Sequence, residues 1–324
     1  MLIAYASDPQ RAIRQPDGRL PPGTVVRLAD DSVTWLAAQV SNQCLAIASI
    51  SMESDGQAAM IAPMVLPDVA SEEARAACRL LLQTIRQLAI TAERSMLRCL
   101  VSIPLDPCGE QLLREAGLFP ATIIETMQSD AIAPSQPRST ESSHVTPEQS
   151  SALPVTFHPH VSDRSAQLQP VLSSILASSA DLRCLPAPSP DSLLREWRKS
   201  DACLLTVGEE ETPVGILVCA PISTISRNEA ESCNNRGKQN SSQWQIHYLG
   251  VVPAMRGRGH ATQLLRALPF VLARDTATAP LTLTAYVDQA NVAARRTWLC
   301  AGYRCIQSQQ LFVSDRLLSR SDVS

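Results

Sequence analysis

The chain has 324 residues, enough for about two domains, and 45% of them are apolar, so a sizeable core can be buried. Aromatic residues are 4% and charged residues 18%, so aliphatic side chains carry the packing, and a net charge of −3 excludes a generally basic nucleic-acid binder. No run approaches the roughly 18 consecutive apolar residues of a membrane span, and Met1–Pro9 lacks the basic and apolar regions of a signal peptide. The ten cysteines and five histidines show neither a CxxC pair nor zinc-ligand spacing, so no metal is expected and the chain reads as reduced and cytoplasmic.

In chain order, the apolar run Met60–Pro67 reads as a strand. Apolar residues at 74, 77, 78, 81, 82, 85, 88 and 89 then recur at helical spacing, and Leu97–Leu105 returns to strand. Gln111–Phe119 follows, a segment similar to Arg296–Tyr303 much later in the chain. From Ser129 to Pro154 the composition turns to Ser, Pro, Thr and Gln, with too little apolar surface to offset the entropy of ordering it. Residues 129–154 are therefore expected to link an N-terminal domain over 1–128 to a C-terminal domain over 155–324.

In the second half, Cys203–Val207 and Val214–Cys219 are short strands around an acidic turn. The polar stretch Ser226–Gln243 reads as a long exposed loop, and Trp244–Val252 as a third strand. Ala261, Leu264, Leu265, Leu268 and Leu272 mark an amphipathic helix, which Pro269 is expected to kink or end. Leu281–Val287 returns to strand. Asn291–Ala301 is a short helix with Asn291 as N-cap and Gly302 then Tyr303 as a Schellman ending, and Arg304–Val313 closes as strand. The class is mixed α/β.

Chemistry concentrates between Leu249 and Ala261, where a strand, a glycine-containing turn and a helix start follow in succession. Gly257 and Gly259 let the backbone approach a ligand closely. The first helical turn offers unpaired N–H groups and the positive end of a dipole, which suits an anion. Between Pro253 and Arg274 stand four arginines (256, 258, 266 and 274) and no acid, so a pyrophosphate would be favoured. Neither GxGxxG nor GxxxxGK[ST] is present. An RNA-binding Arg-Gly tract would repeat within disordered sequence, whereas this one joins a strand to a helix.

Val-x-Pro-x-x-Arg-Gly-x-Gly-x-Ala, from Val251 to Ala261, resembles the acyl-CoA pyrophosphate loop of the GNAT superfamily of N-acetyltransferases. Asn291–Tyr303 resembles the second motif of that family, and the two stand in the expected order. The resemblance covers about 155–324 and implies a mostly antiparallel central sheet flanked by helices. It also implies acetyl-CoA as acyl donor, attacked directly by an amine. On that resemblance, backbone N–H groups of Arg256, Gly257, Arg258, Gly259, His260 and Ala261 would hold the pyrophosphate. Main-chain groups of Val251 and Val252 would pair with the pantetheine arm and stabilise the oxyanion, and Asn291 would reach toward the arm. The acceptor is expected to be a small-molecule amine or a protein or peptide amine, with no nucleic acid and no membrane as partner.

Strand alternation puts His247, Leu249 and Val251 on one face and Tyr248 and Gly250 on the other. His247 titrates in a useful range and stands where relatives carry carboxylates, which makes it the candidate base. Tyr248 is a second candidate, lining the acceptor site or packing. The tyrosine that serves many family members as acid is here Trp298, whose indole is not a practical acid; Tyr286 is the fallback, and Cys300 reads as a small core residue. Trp298 and the lack of a strand carboxylate favour an alternative reading, a catalytically impaired CoA-binding regulatory or scaffold protein.

The N-terminal half repeats this organisation. Pro67 to Gly117 spans 50 residues and Pro253 to Gly302 spans 49, which suggests tandem GNAT-like units. The positions matching Arg256–Ala261 read Ala70-Ser-Glu-Glu-Ala-Arg75, without either glycine. Glu72 and Glu73 would repel a pyrophosphate, so the first unit is expected to be degenerate and non-catalytic.

Overall fold

The computed structural model describes residues 3–6, 24–29, 33–40, 43–52, 56–65, 71–129, 153–179, 185, 187–200, 202–222, 242–275 and 281–315. The expected linker and the Ser226–Gln243 loop lie outside these residues except at their ends. The first half runs β1 (Ile3–Ala6), β2 (Thr24–Ala29), β3 (Val33–Val40), β4 (Gln43–Met52), β5 (Gln57–Val65), α1 (Ser71–Thr91), β6 (Met96–Ser102), α2 (Pro107–Glu115) and β7 (Leu118–Ser129). The second runs β8 (Val155–His158), α3 (Ser165–Leu176), α4 (Pro190–Lys199), β9 (Cys203–Gly208), β10 (Pro213–Pro221), β11 (Ser242–Val251), α5 (His260–Asp275), β12 (Leu281–Asp288), α6 (Val292–Cys300) and β13 (Tyr303–Ser314). No helix of the described residues is long and apolar enough to cross a membrane.

The chain divides into two compact units that do not follow chain order. Unit 1 takes residues 1–123 and 308–324, and unit 2 takes 124–307. In unit 1, β2 through β5 pair antiparallel, while β1 with β2 and β5 with β6 pair parallel. Its last strand comes from the far end of the chain: Gln309–Val313 of β13 pair antiparallel with Arg98–Ser102 of β6. In unit 2, β8, β9, β10 and β11 are antiparallel neighbours, and β11 pairs parallel with β12. There the exchanged strand is Ile124–Gln128 of β7, antiparallel to Thr284–Asp288 of β12. Each exchanged strand ends on a serine hydroxyl that accepts a backbone N–H: Ser314 from Leu97 at 2.9 Å, and Ser129 from Leu283 at 3.1 Å.

Helices cover these sheets by the period read from the sequence. Ala77, Cys78, Leu81, Leu82, Ile85 and Ala89 of α1 are buried against strand residues such as Leu36, Ile50, Met60 and Phe312. Leu264, Leu265, Leu268 and Leu272 of α5 are buried on one face of the unit 2 sheet, each contributing about 1.5–3 kcal/mol by leaving water. On the opposite face, α3 and α4 bury Leu168, Leu172, Ile175, Leu194 and Trp197. Pro269 does not end α5, which continues to Asp275, and α3 likewise contains Pro170. Packing of the leucine face outweighs the single backbone donor that proline lacks.

Two local devices recur in both units. Both short helices end on a glycine at positive φ, Gly117 at 78° and Gly302 at 92°. Their N–H groups turn back to Arg114 and Leu299, one of the two bonds of the Schellman ending read for Gly302. The parallel pair also opens at the same point in each unit. β5 and β6 pair only as far as Ile61 and Leu100, and β11 and β12 only as far as Ile246 and Ala285. Immediately beyond, the register slips on the other side of the opening strand, between Ile47 and Ser49 in unit 1 and between Val218 and Cys219 in unit 2. These are β-bulges, each bending its strand away from the parallel neighbour. Pro63 in β5 falls within the first of them, where a strand tolerates proline.

The exchange has a direct consequence for a shortened chain. Residues 155–324 alone lack Ile124–Gln128, which leaves the edge of β12 open and Arg295 without its carboxylate partner Glu125. Such a fragment is expected to aggregate or to unfold without a cooperative urea transition, while the full chain unfolds cooperatively. A soluble fragment with a sharp transition would show that the exchanged strand is dispensable.

Candidate functional site

The opening of β11 from β12 creates a cleft of about 930 Å³ in unit 2. Its walls are the β11 edge from Ile246 to Val251, Ala285–Val287 of β12, the turn and first residues of α5, and α6 from Asn291 onward. Ile175 and Ser179, at the end of α3, close one side. Among the described residues neither Asp nor Glu lines it, which suits an anion.

The turn is built for close approach. Gly257 and Gly259 have φ of +76° and +83°, and a Cβ at either would meet nothing within 4 Å. Glycine is required there by the backbone conformation, since an L-residue is strained in that region and nothing crowds the position. The first helical bond of α5 runs from Gln263 N–H to Gly259 C=O at 2.9 Å, so the N–H groups of His260, Ala261 and Thr262 precede the ladder. Gly257, Gly259, His260, Ala261 and Thr262 line the cleft; Arg258 is exposed beside them without lining it. The chemistry of this donor set fits a phosphate group: main-chain N–H groups at the positive end of a 16-residue helix.

Several expected roles change. The Arg256 N–H bonds Pro253 C=O at 3.3 Å and does not face the cleft as a free donor. Its guanidinium donates to Val251 C=O (Nε, 3.1 Å), Ser178 C=O (Nη1, 3.0 Å), Ser178 Oγ (Nη2, 2.7 Å) and Ile175 C=O (Nη2, 3.5 Å). The Val251 carbonyl thus accepts from Arg256, and Val252 N–H bonds Val214 C=O at 2.9 Å, while Val251 lines the cleft. Beyond Ile246, residues 247–250 of β11 have left their pairing with β12 and line the cleft. Arg266 is also structural, donating to Cys300 C=O at the end of α6. Arg296 of α6, which the sequence did not single out, lines the cleft and adds a cation. The Asn291 side chain accepts from Ala294 N–H at 3.0 Å, as an N-cap does, while the residue lines the cleft.

The bulge corrects the face assignment of β11. Tyr248 pairs with Val218 and Ile246 with Cys219, so His247 is the extra residue between them. Ile246 and Leu249 consequently pack in the α5 core, whereas Tyr248 turns to the α3/α4 core. There its ring meets Trp197 at 5.4 Å between centroids. Tyr248 thus packs, and His247 is displaced to the mouth of the opening. It is half-buried, and that burial lowers its pKa from the ordinary 6.5, favouring the neutral ring. Trp298 is buried with its ring edge-on to Tyr303 at 4.9 Å, and burial pushes the Tyr303 hydroxyl up. Tyr286, 56% exposed on β12, supplies the accessible phenol of the cleft.

The acetyltransferase (GNAT) family model matches residues 175–303, which contain the opened strand pair, the glycine turn and α6. These residues form a GNAT domain. No curated protein matches the sequence. Among solved structures, a GCN5-related N-acetyltransferase from Sphaerobacter thermophilus shares 15% identity at a TM-score of 0.55, with 89% of this chain and 81% of that one covered. A tandem GNAT protein from the clavulanic acid biosynthesis pathway shares 11% identity at 0.52, covering 90% and 85%. These likenesses are of fold, and they extend beyond the GNAT domain to the first half of the chain.

The wall behind the GNAT cleft depends on Gly250. A Cβ there would lie 2.7 Å from Ile175 Cγ2 and 3.0 Å from Tyr248 Cε1, both held in packed rotamers. Gly250→Ala is expected to push α3 outward and lower stability by about 1–3 kcal/mol in urea unfolding. An unchanged midpoint would show that α3 does not press on β11 in solution.

Proposed function

We propose that unit 2 is an acyl-CoA-dependent N-acyltransferase, with acetyl-CoA as donor and an amine as acceptor, and that unit 1 contributes no chemistry. The observation that carries this is the opened β11 edge running directly into a glycine turn and a helix start. A donor arm can pair along residues 247–250 while its pyrophosphate meets the N–H groups of Gly257–Thr262. The donor supplies an acyl thioester. Residues of the chain orient it, screen its charge with the α5 dipole and Arg296, and keep carboxylates away from it.

An alkylamine has a pKa near 10 and reaches the site protonated, so a proton must leave before attack. His247, neutral at pH 7 through burial and placed at the opening, is the acceptor of that proton, directly or through one water. The thiolate that departs is a tolerable leaving group, and solvent or the exposed Tyr286 phenol protonates it. Tyr248 shapes the wall and takes no part. In unit 1, α1 starts at Ser71 with Glu72 and Glu73 exposed in its first turn, which suits the helix dipole and opposes an anion. One observation favours the non-catalytic alternative, namely the buried Trp298 at the usual acid position. Turnover of acetyl-CoA with a panel of amines separates the two.

Calorimetric titration of acetyl-CoA should give one site per chain in the wild type and none in a Gly257→Glu, Gly259→Glu double variant. Two sites would return unit 1 to function, and no binding by folded wild type would overturn the proposal. The His247 prediction follows from its lowered pKa: the basic form persists to below pH 6.5 and is lost as pH falls further. The acid limb of kcat/KM is therefore expected below pH 6.5. In His247→Ala that limb should flatten, with kcat lower by roughly 10²-fold. A variant with an unaltered profile removes His247 from the mechanism.

A further inference from the structure

Arg256 opens the glycine turn and lines the cleft, yet its guanidinium is engaged within the protein. Its four hydrogen bonds use Nε, Nη1 and Nη2, and all four acceptors are oxygens of the protein. Three belong to the end of α3, where the dipole is negative: Ile175 C=O, which also accepts from Ser178 N–H, and the carbonyl and hydroxyl of Ser178. The fourth is Val251 C=O, the last residue of β11. A planar guanidinium meets such a divergent set, whereas an ammonium reaches only part of it.

We propose that Arg256 is a positioning residue that ties three parts of the cleft together: the end of β11, the glycine turn and the end of α3. The proposal rests on the reading of this cleft as the acyl-donor site. Ile175 and Ser179 of the α3 end line the cleft, and Ile175 lies against Gly250 on β11. Arg256 thus fixes the wall and the anion-binding N–H groups in one register. It acts on donor binding through backbone geometry and makes no phosphate contact. Donor affinity then depends on the α3 end, which a phosphate-contacting arginine would not require.

The test measures acetyl-CoA and S-acetyl-pantetheine, a donor without the pyrophosphate, against wild type, Arg256→Met, Arg256→Lys, Ser178→Ala and the Arg256→Met, Ser178→Ala double variant. Circular dichroism and urea midpoints establish that each is folded, and Arg256→Lys serves if Arg256→Met does not fold. Arg256→Met is expected to weaken both donors in the same proportion, by about tenfold to a hundredfold, with partial recovery in Arg256→Lys. Adding Ser178→Ala should cost less in Arg256→Met than in wild type, because the bond they share is already gone and only the Ser178 hydroxyl's contacts within α3 remain to be lost. A loss confined to acetyl-CoA would make Arg256 a phosphate ligand and overturn the proposal, as would fully additive effects of the two substitutions. If wild type binds and Arg256→Met binds equally well, only the tie fails. If wild type binds neither donor, the donor reading fails and the proposal falls with it.

Discussion

Parallel strands β11 and β12 hydrogen-bond to each other only as far as Ile246 and Ala285, and every other property of the cleft follows from their parting. A backbone edge that leaves its neighbour must satisfy its polar groups elsewhere. β11 meets part of this demand through β10, through Val214 and through the Arg256 side chain. What remains along residues 247–250 faces a cavity large enough for an extended ligand. The bulge at His247 produces this parting, since an extra residue on one side of a strand increases its twist and carries it away from the other side. It also places the imidazole of His247 at the mouth of the opening.

The turn and the wall depend on that parting in different ways. Gly257 and Gly259 provide backbone N–H groups by adopting dihedrals that an L-residue occupies at a cost of about 1–2 kcal/mol. The wall requires close approach, which Gly250 permits by leaving room for Ile175. Arg256 joins the two, because its backbone belongs to the turn while its side chain completes the end of α3. Its acceptors are neutral, so it keeps its charge, and the positive field in the cleft comes from the α5 dipole, Arg256 and Arg296. Two of the four arginines counted in the sequence, Arg256 and Arg266, are occupied by helix ends.

Much of unit 2 was legible because its signals are local. The αL ending at Gly302, the N-cap at Asn291, the leucine period of α5 and the strand–turn–helix succession each depend on residues within a few positions of one another. The face of His247 was not legible, since a bulge breaks alternation without leaving a mark in composition, and the shift shows only in the pairing with Val218 and Cys219. The role of Arg256 was hidden for a related reason, as its partners Ile175 and Ser178 lie far away in sequence. Strand β4 went unread because Ala and Ser, which favour strands weakly, make up four of its ten residues. The exchange of β7 and β13 is the extreme case. Both strands look ordinary in sequence, and which neighbour each one pairs with is decided by the packing of distant segments.

The comparison of the two units separates what the fold needs from what the site needs. Unit 1 keeps the parallel pair, its opening after Ile61 and Leu100, the bulge beside it and the glycine that ends α2. Between its strands and helices lies a smaller cavity of about 390 Å³, mostly apolar, with Arg75 bonded to Cys108 at its edge. None of these features holds an anion without the turn, and the first turn of α1 is acidic. In terms of stability the acidic start is the better one: Glu72 and Glu73 complement the helix dipole, while Gly257 and Gly259 bring conformational entropy and no packing. The fold therefore gains nothing from the glycine turn of unit 2. Among the described residues no carboxylate lines the cleft beside it, so its bare backbone N–H groups stand in surroundings that suit an anion.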